Sequence, residues 1–561
     1  MKQLIECVPN FSEGRDLNII HQITHEIESV EGVKLLNVDP GKATNRTVVT
    51  MVGSPEAVIE AAFRAIKKAG ELIDMSKHKG EHPRMGATDV CPLIPIAGIS
   101  MEETADWAKK LGARVGKELN IPVYLYEAAQ KDKARNNLSV IRAGEYEGFF
   151  KKIKLPEWKP DFGPAEHSVH SGSTVIGARD FLVAYNVNLN TTSTRRANAI
   201  AFDVREAGRV KREGNPVTGK IVTDAAGKPV NVPGTLKSVK AIGWYIEEYG
   251  IAQISMNLTN INITPLHIAF DEVCNKATER GMRVTGSELV GLIPLKSLLD
   301  AGKYFLRKQQ RSTGVSENEL IRIAVKSLGL EELSPFKPQE RIIEYLLREP
   351  GAQKLVNMNL VAFADETASE SPAPGGGSIA AYIGALGVSL GTMVANLSSH
   401  KPGWDDRWEE FSSLAEKGQA LKDALLTLVD EDTRAFNKIM ESFALPKGTE
   451  EEKKVRTEGI QSATRYATEV PFRVMQLSLE SMPLIKSMAE NGNPNSVTDA
   501  GVGVLCARSA VMGAYLNVRI NAGGLTDKVF SEDILARGKT IEEKAQAMEK
   551  EILGIVNSKM K

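Results

Sequence analysis

Residues 33–73, VKLLNVDPGKATNRTVVTMVGSPEAVIEAAFRAIKKAGELI, contain the pattern that decides the fold of the first part of the chain. Apolar residues dominate two short runs, and Pro40 and Gly41 lie between them, which is typical of two strands joined by a turn. From Ser54 onward, apolar residues recur at helical spacing, and Ser54 with a nearby Glu is a typical helix start. The stretch therefore predicts two strands followed by an amphipathic helix, as in an α/β layer.

The same alternation extends on both sides of this stretch. The first third of the chain predicts the order βαββαβαβ, and a second cycle of the βαββα type begins near residue 180. We therefore expect two α/β sandwich subdomains, at residues 1–179 and 180–330. The segment that joins them, PEWKPDFGPAEHSVHSGSTVIGARD, should line the cleft between the two layers, because clefts between domains often bind ligands.

The predicted secondary structure changes near residue 352. Beyond this point strand patterns give way to Ala-, Leu- and Glu-rich segments with helical periodicity. We expect an all-α domain at residues 352–561, preceded by a linker at 331–351. The predicted fold class is thus an α/β N-terminal half followed by an all-helical C-terminal domain.

Residues 206–236 interrupt the second α/β cycle. Gly, Pro and Asn break the periodicity there, and several basic residues accompany them. Such a stretch is typical of a long exposed loop or a small hairpin. A solvated insertion is the simplest interpretation.

Composition narrows the class of protein. The chain has a net charge of −1 with Lys and Arg spread along its length, unlike the basic patch of a nucleic-acid-binding protein. We find no apolar run of the roughly 20 residues that span a membrane, and no secretory signal pattern at the start. We therefore expect a cytoplasmic protein without nucleic-acid or membrane partners.

The spacing of cysteine and histidine argues against a metal site. The four cysteines are far apart and form no CxxC pair, so neither a zinc site nor a disulfide framework is indicated. His78 and His82 are four residues apart, but Gly80 and Pro83 disfavour a helical metal-binding face. We expect reduced thiols and no metal.

Residues 77–92, KHKGEHPRMGATDVCP, place His82 in a loop rich in glycine and proline. An ordinary histidine has a pKa near 6.5, which suits proton transfer at neutral pH, and a loop position allows contact with substrate. General acid or base is one interpretation of His82, and a capping or charge-pairing histidine is the other. A nucleophilic pair with Cys91 would require a spatial closeness that the sequence does not show.

A glycine-rich stretch, ESPAPGGGSIAAYIGALG, opens the helical domain at residues 370–387. Helix N-termini of this kind can hold an anion. The stretch lacks the Lys and following hydroxyl of a Walker A loop, so nucleotide hydrolysis is not indicated. Two interpretations remain: contact with a ligand, or a tight turn with Ser378 as the helix cap and Gly384 and Gly387 in close helix packing.

Asp432 falls on an apolar stripe of the segment LKDALLTLVDEDTRAFNKI. At about 100° per residue, Asp432 points inward with Leu425 and Leu428, and Asp430 points to the opposite face. An inward carboxylate must be paired, or must have a raised pKa that suits acid or base catalysis. Both alternatives remain open on the residues alone.

Several long motifs together resemble a known family. CVPNFSEGRD, KHKGEHPRMGATDVCP, DFGP, GARDFLVAYNVNLN, AIGWYIEEYGIAQISMNLT and GSELVGLIPLKSLLDAG resemble glutamate formimidoyltransferase over residues 1–330. SPAPGGGSIAA, LVDEDTRAF and MGAYLNVRIN resemble formimidoyltetrahydrofolate cyclodeaminase. The whole chain is therefore similar to the bifunctional formimidoyltransferase-cyclodeaminase family of histidine degradation.

The resemblance implies two consecutive reactions on one folate. A transferase moves a formimino group from N-formimino-L-glutamate to N5 of tetrahydrofolate. An ammonia lyase then closes 5-formimidoyltetrahydrofolate to 5,10-methenyltetrahydrofolate. The family's catalytic histidine matches His82, and its catalytic aspartate matches the VDEDTRAF motif, where the stripe geometry selects Asp432.

The resemblance also implies ligand contacts and assembly. The family's folate-contacting stretch matches Gly163, Pro164, Ala165, Glu166, His167, Ser168, Val169, His170, Ser171 and Gly172, among which Glu166, His167 and His170 are candidates for polar contacts with the pterin. Tetrahydrofolate would be a co-substrate, polyglutamylated, and the chain a homo-oligomer, as in the family's ring-shaped octamer. The basic loop around residues 211–228 is a hypothetical binding site for the polyglutamate tail.

Two other functions remain as alternatives. The helical domain could act mainly as a methenyltetrahydrofolate cyclohydrolase, which would release no ammonia. The chain could also be a folate-binding scaffold with degenerate sites, although the presence of both His82 and Asp432 within their motifs argues against it.

Overall fold

The structure is a computed structural model that describes residues 3–42, 44–80, 82–215, 218–347 and 354–560. The chain divides into two compact units. The first comprises Met1–Ala301 with Val325–Leu347, and the second comprises Gly302–Ala324 with Arg348–Lys561.

The first unit begins with a mixed sheet. Its strands are β1 (Leu4–Cys7), β2 (Asn10–Phe11), β3 (Val33–Gly41), β4 (Arg46–Gly53), β5 (Thr88–Ala97), β6 (Val123–Glu127) and β7 (Thr174–Ala178). Strands β1 and β2 both pair with β4 on one side and with β5 on the other, and β3 pairs with β4. Strand β7 runs parallel to β5 and β6, whereas the other pairings are antiparallel. The first residues of β4 and β5 therefore lie on either side of Phe11 in β2.

Three helices cover one face of this sheet: α1 (Leu17–Glu28), α2 (Pro55–Leu72) and α3 (Met101–Glu118). Each begins at a residue whose side chain accepts a backbone N–H: Asp16, Ser54 and Ser100. Their apolar sides share one core with the inward side chains of the strands. The turn between β3 and β4 lies between Gly41 and Arg46, later than predicted, because Pro40 and Gly41 still pair with β4.

Two short helices pack on the opposite face, α4 (Leu138–Arg142) and α5 (Glu145–Lys152). The rings of Phe149 and Tyr124 meet edge to face at 5.3 Å between centroids, and Ile141 joins the same cluster. This packing places the end of α4 over the start of β5.

The second α/β layer follows. It contains β8 (Val183–Leu189), α6 (Thr194–Val204), β9 (Arg209–Val210), β10 (Asn231–Val232), β11 (Val239–Ile246), β12 (Ile251–Leu258), α7 (Leu266–Glu279) and β13 (Val284–Val290). Its sheet has the order β11-β12-β8-β13, and α6 and α7 pack against it. The described part of residues 206–236 contains the small hairpin β9–β10, which confirms one of the two predicted forms. Strand β13 was not predicted.

Helices dominate the rest of the chain. They are α8 (Leu295–Lys308), α9 (Glu317–Leu328), α10 (Pro338–Arg341), α11 (Ile343–Leu347), α12 (Leu360–Thr367), α13 (Gly376–Ser399), α14 (Trp408–Ala444), α15 (Glu450–Asn491), α16 (Val497–Gly523) and α17 (Lys528–Lys559). Within the second unit, α13 packs against α14, α15 and α16. The predicted α/β half and all-helical C-terminal domain are confirmed.

Small residues let these helices approach closely. A Cβ at Gly384 would lie 2.7 Å from Ser478 Oγ, and one at Gly387 would lie 2.8 Å from the carbonyl oxygen of Gly503. Both glycines therefore serve helix packing, as the second interpretation of the glycine-rich stretch predicted.

Among the described residues, two helical stretches, Gly376–Ser399 and Pro494–Gly523, are long and apolar enough to cross a membrane. No such run was predicted from the sequence, because scattered Ser, Gly and Asn residues interrupt the apolar ones. In these stretches, 61% and 56% of the most apolar window is buried inside the structure. Much of their apolar character therefore serves the packing of the bundle.

Candidate active sites

The loop that carries His82 is attached to the turn before β4. His78 Nε2 lies 2.9 Å from the carbonyl oxygen of Asn45, and the Asn45 amide donates to the carbonyl oxygen of Lys79 at 3.1 Å. A Cβ at Gly80 would lie 2.2 Å from the carbonyl oxygen of Thr44, so the loop approaches this closely only with glycine there. The glycine-rich sequence therefore fixes the loop against its neighbour.

One ring nitrogen of His82 is occupied by the protein itself. Nδ1 lies 2.7 Å from the carbonyl oxygen of Pro83 and 3.2 Å from Nη1 of Arg46. Because a carbonyl oxygen only accepts hydrogen bonds, the shorter contact assigns the proton to Nδ1. Nε2 is then the basic nitrogen of the neutral ring, available to a substrate.

A buried carboxylate organises the charges around His82. Asp89, at the start of β5, is 0% exposed. It accepts hydrogen bonds from Arg46, from Arg142 at 2.6 Å and from the backbone N–H of Met85 at 3.0 Å. Burial alone would raise the pKa of Asp89, but the charges of Arg142 and Arg46 outweigh it and hold that pKa below its ordinary value. Asp89 is therefore ionised and holds the guanidinium groups of Arg46 and Arg142 in position.

This environment changes the acidity of His82. Burial, followed by the positive charges of Arg46 and Arg142, lowers the pKa of His82 to about 3. The ring is therefore neutral at pH 7 in the free protein. The ordinary pKa near 6.5, on which the sequence-based interpretation of His82 rested, therefore does not apply. The shift was not predictable, because it comes from burial and from two arginines on strand β4 and helix α4, which are distant from His82 in the sequence.

The stretch Gly163–Gly172 lies beside the end of the His82 loop. Ala87 donates its backbone N–H to the carbonyl oxygen of Ser171 at 2.8 Å, and a Cβ at Gly172 would lie 2.3 Å from the carbonyl oxygen of Met85. Gly172 has a φ of +69°, which other residues rarely adopt. The structure thus brings this predicted stretch and the loop of His82 together.

His167 points into the interior, contrary to the prediction of a pterin contact. It is 4% exposed and lies among the rings of Tyr146, Phe149 and Phe150. Its Nδ1 lies 2.8 Å from Ser173 Oγ, and burial lowers its pKa to about 4. The side chain of His167 therefore packs inside the protein beneath Gly163–Gly172 and has almost no surface that a ligand could contact.

Other members of the stretch face outward. Glu166, Val169 and His170 are exposed, and His170 Nδ1 lies 3.7 Å from a carboxylate oxygen of Asp74. Glu166 and His170 are therefore the predicted polar groups that remain accessible to a ligand.

The second predicted site lies where α14 meets the first turn of α13. Ser378 Oγ is 2.8 Å from the carbonyl oxygen of Val429 and 3.1 Å from Oδ2 of Asp432. A Cβ at Gly377 would lie 2.1 Å from Oδ1 of Asp432. The glycine run therefore allows the carboxyl group to lie directly against the helix start.

Burial raises the pKa of Asp432, and hydrogen bonds from Ser378 only partly oppose this effect. Both alternatives from the sequence therefore hold, since the carboxyl group is hydrogen-bonded and also has a raised pKa. A carboxyl group of this kind retains its proton to higher pH than an ordinary aspartic acid. It can donate a proton to a leaving group.

Two expectations around this site are corrected. Asp430 is 7% exposed and accepts the backbone N–H groups of Leu355 at 2.8 Å and Val356 at 3.3 Å, although the stripe geometry placed it on the opposite face. The reason is that α14 is buried on more than one side. Ser378 is not the helix cap, because α13 begins at Gly376, and the Ser378 hydroxyl bonds to α14 instead.

The third helical motif also reaches this site. A Cβ at Gly376 would lie 3.4 Å from Nδ2 of Asn517 on α16, which itself donates to the carbonyl oxygen of Gly513 at 2.9 Å. Phe436, one turn beyond Asp432 on α14, is 38% exposed. The motifs SPAPGGGSIAA, LVDEDTRAF and MGAYLNVRIN thus converge in space.

Arg46, Arg142 and Asp89 were not among the site residues predicted from the sequence. An Asp between apolar residues at a strand start was a usable signal for Asp89. Nothing local marks the two arginines. Within the described ranges, no group of three or more His, Cys, Asp or Glu side chains is arranged to hold a metal ion.

Family models match three consecutive segments of the chain. "Formiminotransferase domain, N-terminal subdomain" matches residues 4–179, and "Formiminotransferase domain" matches residues 184–348. "Formiminotransferase-cyclodeaminase" matches residues 359–540. His82 lies in the first match and Asp432 in the third.

Known proteins resemble the whole chain and each of its parts. The formimidoyltransferase-cyclodeaminase of Mus musculus is 43% identical over 560 residues, which cover 100% of both chains. The glutamate formimidoyltransferase of Thermoplasma acidophilum is 42% identical over 330 residues, 58% of this chain and 99% of that protein. The methenyltetrahydrofolate cyclohydrolase of Methylorubrum extorquens is 37% identical over 204 residues, 36% of this chain and 98% of that protein.

Proposed function

The chain belongs to the formimidoyltransferase-cyclodeaminase family, and on this premise we propose that its two sites act in turn on one folate. It is a bifunctional enzyme, a glutamate formimidoyltransferase and a formimidoyltetrahydrofolate cyclodeaminase. It transfers the formimino group of N-formimino-L-glutamate to tetrahydrofolate and then cyclises the product to 5,10-methenyltetrahydrofolate with release of ammonia. The observation that carries this function is the 43% identity over 100% of both chains, because it includes both sites.

His82 is proposed as the base of the transfer reaction. N5 of tetrahydrofolate attacks the amidine carbon, and Nε2 of the neutral ring takes the proton that N5 loses. The protonated ring then donates this proton to the glutamate nitrogen as its bond to the amidine carbon breaks. The contact of Nδ1 with the carbonyl oxygen of Pro83 supports this role, because it makes Nε2 the ring nitrogen that can accept a proton.

Asp432 is proposed as the acid of the cyclisation. N10 attacks the amidine carbon and loses its proton to the imine nitrogen, and the resulting amine leaves as ammonia after it receives a proton. The raised pKa of Asp432 supports its role as donor of this proton. Asp432 lies against Gly377 in the first turn of α13, and Asn517 lies near Gly376 in the same turn. This arrangement supports a binding site for the folate there.

We extend the proposal to folate binding by Gly163–Gly172. Glu166 and His170 are the exposed polar side chains in this stretch that suit a pterin edge, while the buried His167 holds the stretch in place. The co-substrate is proposed to be polyglutamylated, because a bound tail keeps the intermediate at high effective concentration between the two reactions.

The basic hairpin at residues 211–228 is the proposed binding site for the tail. Lys211, Arg212, Lys220 and Lys228 supply its positive charges. Deletion of the hairpin should reduce the preference for polyglutamylated over monoglutamylated tetrahydrofolate. An unchanged preference in a deletion variant with full activity on the monoglutamate would exclude this role.

We propose that the chain forms a homo-oligomer, of which the ring-shaped octamer is the expected form. An apolar stripe supports this assembly. Its large exposed side chains are Leu386, Met393 and Leu397 on α13 and Val502, Leu505, Met512, Leu516 and Ile520 on α16. Large exposed apolar surfaces mark association sites, and α13 contains no charged residue that would oppose the docking of a second copy.

The proposal also includes the organisation and the location of the chain. We propose transferase subdomains at residues 1–179 and 180–330, a linker at 331–351 and a cyclodeaminase domain at 352–561. The family matches at residues 4–179 and 359–540 support the limits of the first and last of these, whereas the match at 184–348 extends over most of the proposed linker. A cytoplasmic location is proposed from the composition.

Separate assays of the two half-reactions test the function. Purified protein should transfer the formimino group to tetrahydrofolate, and should release ammonia from added 5-formimidoyltetrahydrofolate. The similarity to a methenyltetrahydrofolate cyclohydrolase favours a second candidate activity for the helical domain. Hydrolysis of methenyltetrahydrofolate without ammonia release from the formimino substrate would establish that alternative instead.

A further inference from the structure

The cluster around Asp89 contains more positive than negative charge among the described residues. Arg46 and Arg142 both donate to this one carboxylate, and His82 beside them is neutral. The side chains of Arg46 and Arg142 are 9% and 13% exposed, so solvent screens them poorly. A guanidinium pair with one carboxylate between them favours the approach of a second anion.

The N–H groups of Arg46 and Arg142 also indicate that an anion can bind here. Arg46 donates from Nε to Asn10 Oδ1 at 2.9 Å and from Nη1 to Asp89, and Nη1 also lies 3.2 Å from the protonated Nδ1 of His82, which cannot accept from it. Arg142 uses Nη2 for Asp89, whereas its buried Nε–H has no acceptor among the described residues. A buried donor without an acceptor is costly, so an oxygen ligand at this position would be stabilised.

We propose that Arg46 and Arg142 bind the α-carboxylate of N-formimino-L-glutamate beside His82. The inference rests on the proposed function, because it assumes that His82 acts on the formimino group. The binding site comprises the two guanidinium groups, with Asp89 holding both in position.

Two carboxylate sources have the required chemistry, the amino-acid substrate and the glutamyl tail of folate. In N-formimino-L-glutamate the α-carboxylate is attached to the same carbon as the nitrogen that bears the formimino group. In tetrahydrofolate an aminobenzoyl group separates N5 from the glutamate. Since Nη1 of Arg46 lies 3.2 Å from the ring of His82, the carboxylate nearest to the reacting carbon fits this position.

Binding of the carboxylate would also prepare His82. In the free protein, burial and the charges of Arg46 and Arg142 disfavour protonation of the ring. A bound carboxylate offsets these two charges and raises the pKa of His82 again. The base would therefore become stronger only when the formimino donor is in place.

The test compares Arg142→Gln with Arg114→Gln. Arg114 is a matched control, because it is paired with Glu60 and Glu118 on the outer helices. We expect Arg142→Gln to raise KM for N-formimino-L-glutamate about 10- to 100-fold, the usual effect of a lost charge-assisted hydrogen bond. KM for monoglutamyl tetrahydrofolate should change less than about twofold by the same reasoning, because that ligand does not use the site.

N-formimino-4-aminobutyrate, which lacks the α-carboxylate, provides a second measurement. The unaltered enzyme should prefer N-formimino-L-glutamate over this analogue, and Arg142→Gln should remove most of that preference. An equal loss on both donors would show that Arg142 does not bind the α-carboxylate and would overturn the proposal. A rise in KM for tetrahydrofolate instead would assign the arginines to the folate tail and overturn the proposal.

The variants also distinguish this inference from the function itself. Unaltered protein without transferase activity would refute the function, whereas active protein with an unchanged donor KM in Arg142→Gln would refute only the binding site. Cyclodeaminase activity of the same chain shows that the protein is folded. If Arg142→Gln is inactive, calorimetric titration of Arg142→Lys with N-formimino-L-glutamate alone decides: weaker binding than to Arg114→Gln supports the site, and equal binding refutes it.

Discussion

The hydroxyl oxygen of Ser378 lies 3.1 Å from Oδ2 of Asp432, across the contact between the first turn of α13 and the middle of α14. Burial favours the protonated form of Asp432, whereas this hydroxyl favours the carboxylate. The balance between the two sets the pH range in which Asp432 can act as an acid. It also makes Ser378 a direct test of the proposed role of Asp432.

Ser378→Ala should shift the pH profile of cyclisation. Cyclisation needs the protonated form of Asp432, so its rate falls as pH rises through the pKa of that group. Removal of the hydroxyl raises the pKa further, and the falling limb should therefore move to higher pH. The measurement is kcat/KM for cyclisation against pH, with the transfer reaction of the same variant as the control. A falling limb that moves to lower pH would contradict the assignment of Asp432 as the acid.

The raised pKa of Asp432 also predicts a contribution to stability. The folded protein binds this proton more tightly than the unfolded chain does, so the contribution is fully present below the unfolded pKa. It is lost as pH rises through the folded pKa. Denaturant unfolding of Asp432→Asn should lack this decrease with pH, whereas the unaltered protein should show it.

Asp432→Asn should lower the rate of cyclisation by about 10²- to 10⁴-fold, the usual contribution of a general acid. Transfer should stay intact, because His82 lies in the other compact unit. Asp430→Asn is the comparison, since Asp430 holds the backbone N–H groups of Leu355 and Val356 and should affect stability first. Loss of both reactions in folded Asp432→Asn would refute the two-site assignment.

His82→Ala should have the reverse effect. Transfer should fall by about 10²- to 10⁴-fold, while cyclisation of added 5-formimidoyltetrahydrofolate continues at the normal rate. His78→Ala is a suitable comparison, because His78 contacts the backbone of Asn45 and should affect the position of the loop rather than the proton transfer. Full transferase activity in His82→Ala would exclude His82 as the base.

Gly377→Ala should disturb the Asp432 site by steric contact. Its Cβ would lie 2.1 Å from Oδ1 of Asp432, so the carboxyl group must move, at a cost of about 1–3 kcal/mol in the free energy of unfolding. Cyclisation should fall with it. Gly554→Ala on α17 is the matched control, because nothing lies within 4 Å of its Cβ, and it should stabilise the helix by about 0.5–1 kcal/mol. Equal unfolding midpoints for the two variants would contradict the close approach.

Leu516→Glu tests the proposed assembly. Leu516 is 60% exposed within the apolar stripe of α13 and α16, and a charge there should oppose docking of a second copy. We expect a smaller oligomer by sedimentation velocity. Val529→Glu is the control, since Val529 is 82% exposed but belongs to α17. Identical sedimentation of Leu516→Glu and unaltered protein would show that the stripe is not the interface.

Local patterns were sufficient for much of the fold and for the candidate residues. Strand alternation and helical periodicity depend on neighbouring residues, so the two α/β cycles and the helical domain were predictable. The glycines of residues 370–387 indicated close helix packing, and the structure has it at Gly384 and Gly387, whereas the close approaches at Gly80 and Gly377 were not predicted. The burial of Asp430 was not predictable, because a helix packed on several sides has no single inward face.

By itself, the sequence determined most of the order of the elements, although not α4, α5, β7 or β13, together with the two motifs and the choice of His82 and Asp432 as candidates. Only the tertiary structure decided that Arg46 and Arg142 flank His82 and that His167 lies in the interior. The reason is that these contacts join residues from β4, α4 and the segment before β7, which are far apart along the chain. Burial and charge at such junctions set the pKa values, and no local pattern encodes them.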